Sequence, residues 1–239
     1  MTEPHVTFLL LSYRRPANMQ RQLDDIAAAP IPNKSVILSN NNPAINIFDY
    51  VAPDGPAVTI LQQSRRRISA QRYELAREAG SQYFVALDDD LFLSPDQIAA
   101  LAKKLFEAPT MPHGIWGQKL IAEADGRPGL SWDVVRRVDC QVDVLNRAYA
   151  FTNQHVTRFF ELLGVLGLAN VDELGPADDI LISVSGAGRP WCHDLGAIEN
   201  CPTSNTPGIA FWKDDAFYPW RLDILSRLRA IGSLPWQQS

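Results

Sequence analysis

The stretch that most constrains this chain is residues 83–93, YFVALDDDLFL, where five apolar or aromatic residues run into Asp88, Asp89 and Asp90 and an apolar triplet follows at once. A short apolar run of this kind is a buried strand. Ending it in three adjacent carboxylates is electrostatically unfavourable, because like charges at such spacing repel and raise one another's pKa. A cation relieves the repulsion, and a divalent metal is the usual one. On an extended chain Asp88 and Asp90 point to one face, about 6.5 to 7 Å apart, and Asp89 points to the other. One carboxylate can then hold a metal while its neighbour meets a ligand that the metal also holds.

Three strand–helix alternations precede this strand. Residues 5–12 (HVTFLLLS) form a continuous apolar strand, and Pro16 can open a helix with Met19, Leu23, Ile26 and Ala27 on one face. Residues 34–39 and 58–63 are the second and third strands; residues 68–79 are a helix stopped by Gly80. After the acidic strand, Ser94, Pro95, Asp96 and Gln97 read as a capped helix start, so residues 91–93 must be a tight connection. This pattern predicts a doubly wound parallel sheet.

The second half is less regular. Residues 114–122 and 140–152 read as strands, with a further strand within 130–138; residues 155–166, 180–185 and 214–231 read as helices. His155 is expected at the surface, and residues 203–207 as a mobile polar loop over a ligand. A zinc set of Cys192, His193 and Cys201 can be drawn, but it lacks paired Cys-x-x-Cys spacing and is not favoured.

At 239 residues one large α/β domain is expected, spanning 1–239, with a nucleotide-binding half at 1–93 and an acceptor-binding half at 94–239. The net charge of −5 argues against a broad nucleic-acid surface. Three cysteines cannot form a complete disulfide framework and point to a cytoplasmic setting. The first apolar run is too short for a secretory signal or a transmembrane segment.

Chemistry-bearing residues gather at strand ends. Ser12, Tyr13, Arg14 and Arg15 follow the first strand, Asn40, Asn41 and Asn42 the second, and Ser64, Arg65, Arg66 and Arg67 the third. Open α/β sheets bind ligands at that edge. Arginines at a helix start oppose the helix dipole unless an anion binds nearby. Asp178 and Asp179 form a second acidic cluster, and active sites often join separated carboxylates. Base-binding groups, an Asp-rich metal site and a late acid pair fit a nucleotide-diphosphate donor neutralised by Mn²⁺ or Mg²⁺.

With these motifs the sequence resembles the exostosin-like glycosyltransferases of family 64, and more distantly those of family 2. Ser12-Tyr13-Arg14-Arg15 is similar to the family's Thr-Tyr-Asn-Arg, Asn40-Asn41 to its Asn-Asn, and Gln62-Gln63-Ser64 to its Gln-Gln-Thr. Asp88-Asp89-Asp90 matches its triple aspartate, and Ala177-Asp178-Asp179-Ile180 is similar to its Cys-(Glu/Asp)-Asp-Ile. Residues 208–212 followed by Arg221 resemble its Gly-Met-Trp segment with a downstream arginine. The resemblance implies a GT-A fold, a Rossmann-like, mostly parallel twisted sheet flanked by helices with a smaller mixed sheet on the acceptor side. It implies a UDP-sugar donor, UDP-N-acetylhexosamine among them, transferred with retention. The sequence leaves the acceptor open among a glycan, lipid-linked sugar, natural product or modified nucleobase. Asp90 and Asp88 would hold the metal. Ser12, Tyr13, Arg15, Asn40, Arg67, Arg72, Asp88 and Asp89 would bind the donor, and Asp179, Asp178 and Arg221 would serve the transfer. Family 2 enzymes share much of this pattern and invert, which would make Asp179 a general base.

Two other readings compete. Asp88-Asp89-Asp90 after a strand is also similar to the nucleophile motif of haloacid-dehalogenase-like phosphatases, although the usual Gly-Thr-Leu continuation is replaced by Leu91-Phe92-Leu93. A non-catalytic nucleotide-binding module is the other. A nucleotidyltransferase would need a glycine-rich loop near the first strand, and residues 11–16 contain no glycine.

Overall fold

Strand β1 (Val6–Ser12) is buried along its whole length, and its alternation sets the layers. Phe8 and Leu10 enter one apolar core and Leu9 and Leu11 the other, so the strand lies in a sheet covered on both faces. The structure is a computed structural model and describes residues 3–52 and 55–233.

Strand β1 pairs in parallel with β2 (Lys34–Asn40), which pairs in parallel with β3 (Ala57–Gln62). On its other side lies β4 (Tyr83–Leu87), also parallel. Helix α1 (Asn18–Ala28) connects β1 to β2 and α2 (Gln71–Ala79) connects β3 to β4. Gly80 ends α2 with a left-handed φ of 62°, as its stop position requires. Beyond β4 come the short β5 (Leu91–Phe92) and α3 (Pro95–Glu107). The predicted start of α3 is realised as a reciprocal cap: Ser94 Oγ accepts from the Gln97 amide at 3.3 Å, and the Ser94 amide donates to Gln97 Oε1 at 2.9 Å.

The sheet then becomes mixed. Strands β6 (His113–Gln118), β7 (Leu120–Ala122), β8 (Pro128–Leu130), β9 (Val135–Arg136), β10 (Cys140–Gln141) and β11 (Val144–Thr152) come next. Helices α4 (Asn153–Val165) and α5 (Asp178–Ser183), strands β12 (Trp191–Cys192) and β13 (Glu199–Asn200), and helix α6 (Phe217–Ala230) complete the chain. The nine-stranded sheet runs β10-β12-β6-β11-β4-β1-β2-β3, with β9 beside β6. Strand β11 is antiparallel to both β4 and β6. Two two-stranded sheets, β13-β5 and β7-β8, flank it. This is the GT-A architecture expected from the sequence.

One core contains Tyr73 of α2 stacked on Phe159 of α4 at 4.2 Å, with Phe84 against Phe151 at 5.5 Å. The other joins α1 and α3 through Met19, Leu23, Leu101 and Leu105. Each such side chain contributes roughly 1.5–3 kcal/mol by leaving water, so the two layers hold the strand ends rigid.

Several expectations are corrected. Residues 91–93 are not merely a connection, because Leu91 and Phe92 pair with Asn200 and Glu199. The run 114–122 breaks at Lys119, and 140–152 breaks before Val144. His155 is 2% exposed rather than at the surface, because its ring caps α4: the Thr152 amide donates to His155 Nδ1 at 3.0 Å. Within the expected polar loop at 203–207, residues 202–205 form a 3₁₀ turn.

Candidate active site

A cavity of about 660 Å³ opens at the carboxyl ends of β1, β2 and β4, and both acidic clusters line it. Helix α1 fixes the aspartate turn from below: Gln22 Nε2 donates to the carbonyls of Asp88 and Leu91 at 2.7 and 2.9 Å, and Asn18 Nδ2 to that of Asp89 at 2.7 Å. The Asp88 amide donates to the Arg147 carbonyl of β11 at 2.9 Å.

Each aspartate meets its own arginine. Arg72 Nη2 donates to Asp88 Oδ1 at 2.6 Å, Arg15 Nη1 to Asp89 Oδ1 at 2.6 Å, and Arg147 Nη2 to Asp90 Oδ1 at 2.6 Å. Burial pushes the pKa values of Asp89 and Asp90 up, and Arg15 and Arg147 respectively oppose it. Burial also works against the Arg72 charge, but the carboxylates of Asp88 and Asp178 outweigh it and hold its pKa above the ordinary arginine value. The repulsion read from the sequence is therefore relieved within the chain by guanidinium groups.

The second cluster sits at the start of α5, joined to the first through Arg72. Asp178 accepts from Ser69 Oγ at 2.7 Å and lies 3.7 Å from Arg72 Nε. Its pKa is pushed up to about 6, first by burial and then by the neighbouring Asp179 charge, with Arg72 opposing. Asp179 Oδ1 accepts from Arg221 Nη1 at 2.6 Å and Oδ2 from Asn146 Nδ2 at 3.0 Å. Arg221, buried in α6, also reaches the Pro176 carbonyl at 2.8 Å. Arg72 Nη1, Arg221 Nη2 and Asn146 Oδ1 are buried polar atoms left without a partner, and all three residues line the cavity.

Tyr13, Arg15, Arg67, Arg72, Asp88, Asp89, Asp90, Asp178, Asp179 and Arg221 therefore share one cavity wall system. Tyr13 lies under two guanidinium groups, Arg14 at 5.1 Å and Arg66 at 5.0 Å from its ring centroid. Arg67 is engaged by Glu74 and Asp172. Ser12 and Asn40 stand apart. Ser12 is fully buried, with no partner for its hydroxyl, and Asn40 braces the next turn by donating to the carbonyls of Asn42 and Ile45 at 2.9 and 2.6 Å. Asn41, not Asn40, reaches the cavity. His193 faces His113 at 2.8 Å and Asp139 at 2.8 Å rather than the aspartates.

Sequence reasoning missed Asn146 and Arg147, although a polar pair interrupting the apolar run of β11 was a usable signal. It also missed an apolar lobe of the cavity lining, Trp132, Val134, Phe211, Trp212 and Phe217, and Trp116, which lies against Arg147. Trp132 stacks on Tyr218 at 4.8 Å, and Phe211 meets Phe217 edge-on at 5.9 Å. These rings come from β6, the segment before β9, the 3₁₀ turn 211–213 and the start of α6, with no common periodicity.

A divalent ion fits the donor set at the aspartates. Asp88 and Asp90 each keep Oδ2 clear of any hydrogen bond, and two carboxylates completed by phosphate oxygens are what Mg²⁺ and Mn²⁺ accept. Among the described residues no group of three or more His, Cys, Asp and Glu is arranged to hold a metal unaided.

The family model for glycosyl transferase family 2 matches residues 7–160, which defines a glycosyltransferase class. The chain belongs to glycosyl transferase family 2. A mannosyltransferase, PcManGT from Pyrobaculum calidifontis, solved in complex with GDP-Man and Mn²⁺, superposes with a TM-score of 0.54 at 17% identity, over 98% of this chain and 74% of that one. CMP:2-keto-3-deoxy-manno-octonic acid synthetase, solved with CTP, gives 0.53 at 9% identity, over 83% and 94%. At these identities the likeness is one of fold. No curated protein sequence matches the chain. Among the described residues no helix is long and apolar enough to cross a membrane.

Proposed function

We propose that the protein transfers a sugar from a nucleoside-diphosphate sugar, a UDP-sugar by preference, to a hydroxyl-bearing acceptor, with Mn²⁺ or Mg²⁺ at Asp88 and Asp90. The observation that carries this reading is the pair of buried cavity arginines, Arg72 and Arg221, each holding one guanidinium nitrogen without a partner beside the acidic clusters. Donors in this arrangement suit the charge that develops on a leaving diphosphate. When bound, the metal supplies Lewis-acid stabilisation of that same charge.

The chain's residues divide the work. Tyr13, with Asn41 and Arg66 nearby, forms the base and ribose side, and Arg15 and Arg72 set Asp89 and Asp88 in place. Asp179 stands between this polar wall and the aromatic lobe, oriented by Arg221 and Asn146. It accepts the proton of the acceptor hydroxyl while the oxygen bonds to the anomeric carbon. The bond from that carbon to the phosphate oxygen breaks, and the diphosphate keeps the electron pair. Family membership favours inversion by this route over the retention implied by the family 64 resemblance. The aromatic lobe is the acceptor side, and glycans, lipid-linked sugars, natural products and modified nucleobases remain the candidate acceptors. Three unpaired cysteines suit a reducing cytoplasm. The match to the glycosyl transferase family 2 model favours this reading over a haloacid-dehalogenase-like phosphatase.

The test is a screen of nucleotide sugars for Mn²⁺-dependent hydrolysis, followed by NMR of the released sugar's first-formed anomer. UDP-sugar cleavage with inverted configuration is expected. Cleavage of a phosphomonoester with no nucleotide-sugar turnover contradicts the reading.

A further inference from the structure

Arg147 stands out among the arginines of the cavity. It lies where the register of β11 against β6 shifts, between Asn146 and Tyr149, and its φ is +69°, a backbone region that non-glycine residues seldom adopt. From there all three guanidinium nitrogens are used. Nε and Nη2 donate to Asp90 Oδ1 at 3.1 and 2.6 Å, Nη2 also donates to the Asp90 carbonyl at 2.7 Å, and Nη1 donates to Asn200 of β13. The group lies 4.4 Å from the centroid of the Trp116 ring.

Arg72 offers a contrast. It is 3% exposed, makes one hydrogen bond to Asp88 and is shared with Asp178, so it is part of the wall. Arg147 is 15% exposed, lines the cavity and devotes its guanidinium chiefly to Asp90. Asp88, Asp89 and Asp90 each lie 2.6 Å from a guanidinium, of Arg72, Arg15 and Arg147 respectively, with Arg72 also 3.7 Å from Asp178 and Arg15 3.9 Å from Asp90. A bare divalent cation would add two positive charges beside these guanidinium groups, and the Asp90 carboxylate cannot serve both the ion and Arg147 fully. A sugar-linked diphosphate brings two negative charges, so metal and diphosphate together add no net charge.

We propose that Arg147 is a positioning residue that holds Asp90 and competes with the divalent metal for its carboxylate, coupling metal uptake to arrival of a diphosphate. The displaced guanidinium then turns toward that diphosphate in the cavity. This rests on the nucleotide-sugar reading for the diphosphate, but the competition itself concerns metal and arginine alone.

The experiment titrates Mn²⁺ alone, then Mn²⁺ with UDP, into wild type, Arg147→Asn and Arg147→Gly, following free Mn²⁺ by electron paramagnetic resonance. Asn and Gly both accept positive φ, and thermal unfolding verifies the fold. Without nucleotide, both variants should bind Mn²⁺ at least about tenfold tighter than wild type, a difference of about 1.4 kcal/mol. With UDP present the gap should narrow. Trp116→Leu, which keeps the guanidinium but removes its stacking face, should move the same way by less. Equal or weaker Mn²⁺ affinity in the Arg147 variants overturns the competition. A wild type that binds no UDP with Mn²⁺, while the variants still gain Mn²⁺ affinity, sinks the nucleotide-sugar reading and leaves the competition standing.

Discussion

The Asp88 side of the cavity satisfies its charges within the chain, whereas the Trp132 side leaves apolar surface uncovered. In the polar lobe the three aspartates of the 88–90 turn and Asp179 each accept from a guanidinium group at 2.6 Å. In the aromatic lobe Trp132 is 67% exposed and Phe211 48% exposed. Preorganised charge of the first kind holds an anion without much rearrangement at the moment of reaction. Exposed rings of the second kind gain only when something apolar or flat covers them. On the proposed reading the donor takes the first lobe and the acceptor the second, with Asp179 at the join.

The sharpest way to break that division is at the join. Asp179→Asn should lower donor hydrolysis, in which water stands in for the acceptor, by roughly 10²–10⁴-fold. Its UDP affinity should stay within about twofold. Comparable losses in both would place Asp179 in donor binding and erase the boundary.

Next in size is the polar lobe's internal balance. Arg72→Ala removes the partner of Asp88 and Asp178 and leaves buried charge uncompensated, so urea unfolding should show a loss of about 3–5 kcal/mol. A loss under about 1 kcal/mol would mean that the lobe is solvated rather than preorganised.

The pH dependence of stability adds a third check. Burial lowers the pKa of His113 to about 4, with His193 and His155 also lowered by burial. The unfolded chain binds these protons first, so stability is full above about pH 6.5 and is lost as pH falls toward 4, by about 3 kcal/mol for His113. Asp178, raised to about 6, acts with the opposite sign: its contribution grows as pH falls from 6 toward 3.8. Urea midpoints at pH 7.5 and pH 5 should therefore differ less in wild type than in Asp178→Asn. An equal or smaller difference in the variant would remove Asp178 as a buried charge.

The smallest effect concerns the aromatic lobe. Trp132→Ala or Phe211→Ala should raise the KM for an acceptor about tenfold, roughly 1.4 kcal/mol, while the KM for the nucleotide sugar holds. The reverse pattern would exchange the two lobes.

The polar lobe was far more legible in the sequence than the aromatic one, for a physical reason. A parallel strand must bury both faces and end abruptly, so the apolar runs before Ser12 and Asp88 announced both the strands and their chemical ends. The Ser94–Gln97 cap could likewise be read, because capping is local. The aromatic lobe draws Trp132, Phe211 and Phe217 from a loop, a 3₁₀ turn and a helix start, and only tertiary structure brings them together. His155 misled because a buried capping ring and a surface ring look alike in sequence. Arg147 was hidden inside a strand whose bulge turns it out toward Asp90.

The central claim is that the Asp88 side holds a nucleoside diphosphate through a metal. Calorimetric titration of UDP into wild type and Asp90→Asn, with and without Mn²⁺, tests it most directly. The account predicts saturable UDP binding that requires Mn²⁺ in wild type and is lost in a folded Asp90→Asn protein. UDP affinity that is indifferent to Mn²⁺, or Mn²⁺-dependent affinity retained in Asp90→Asn, would contradict it.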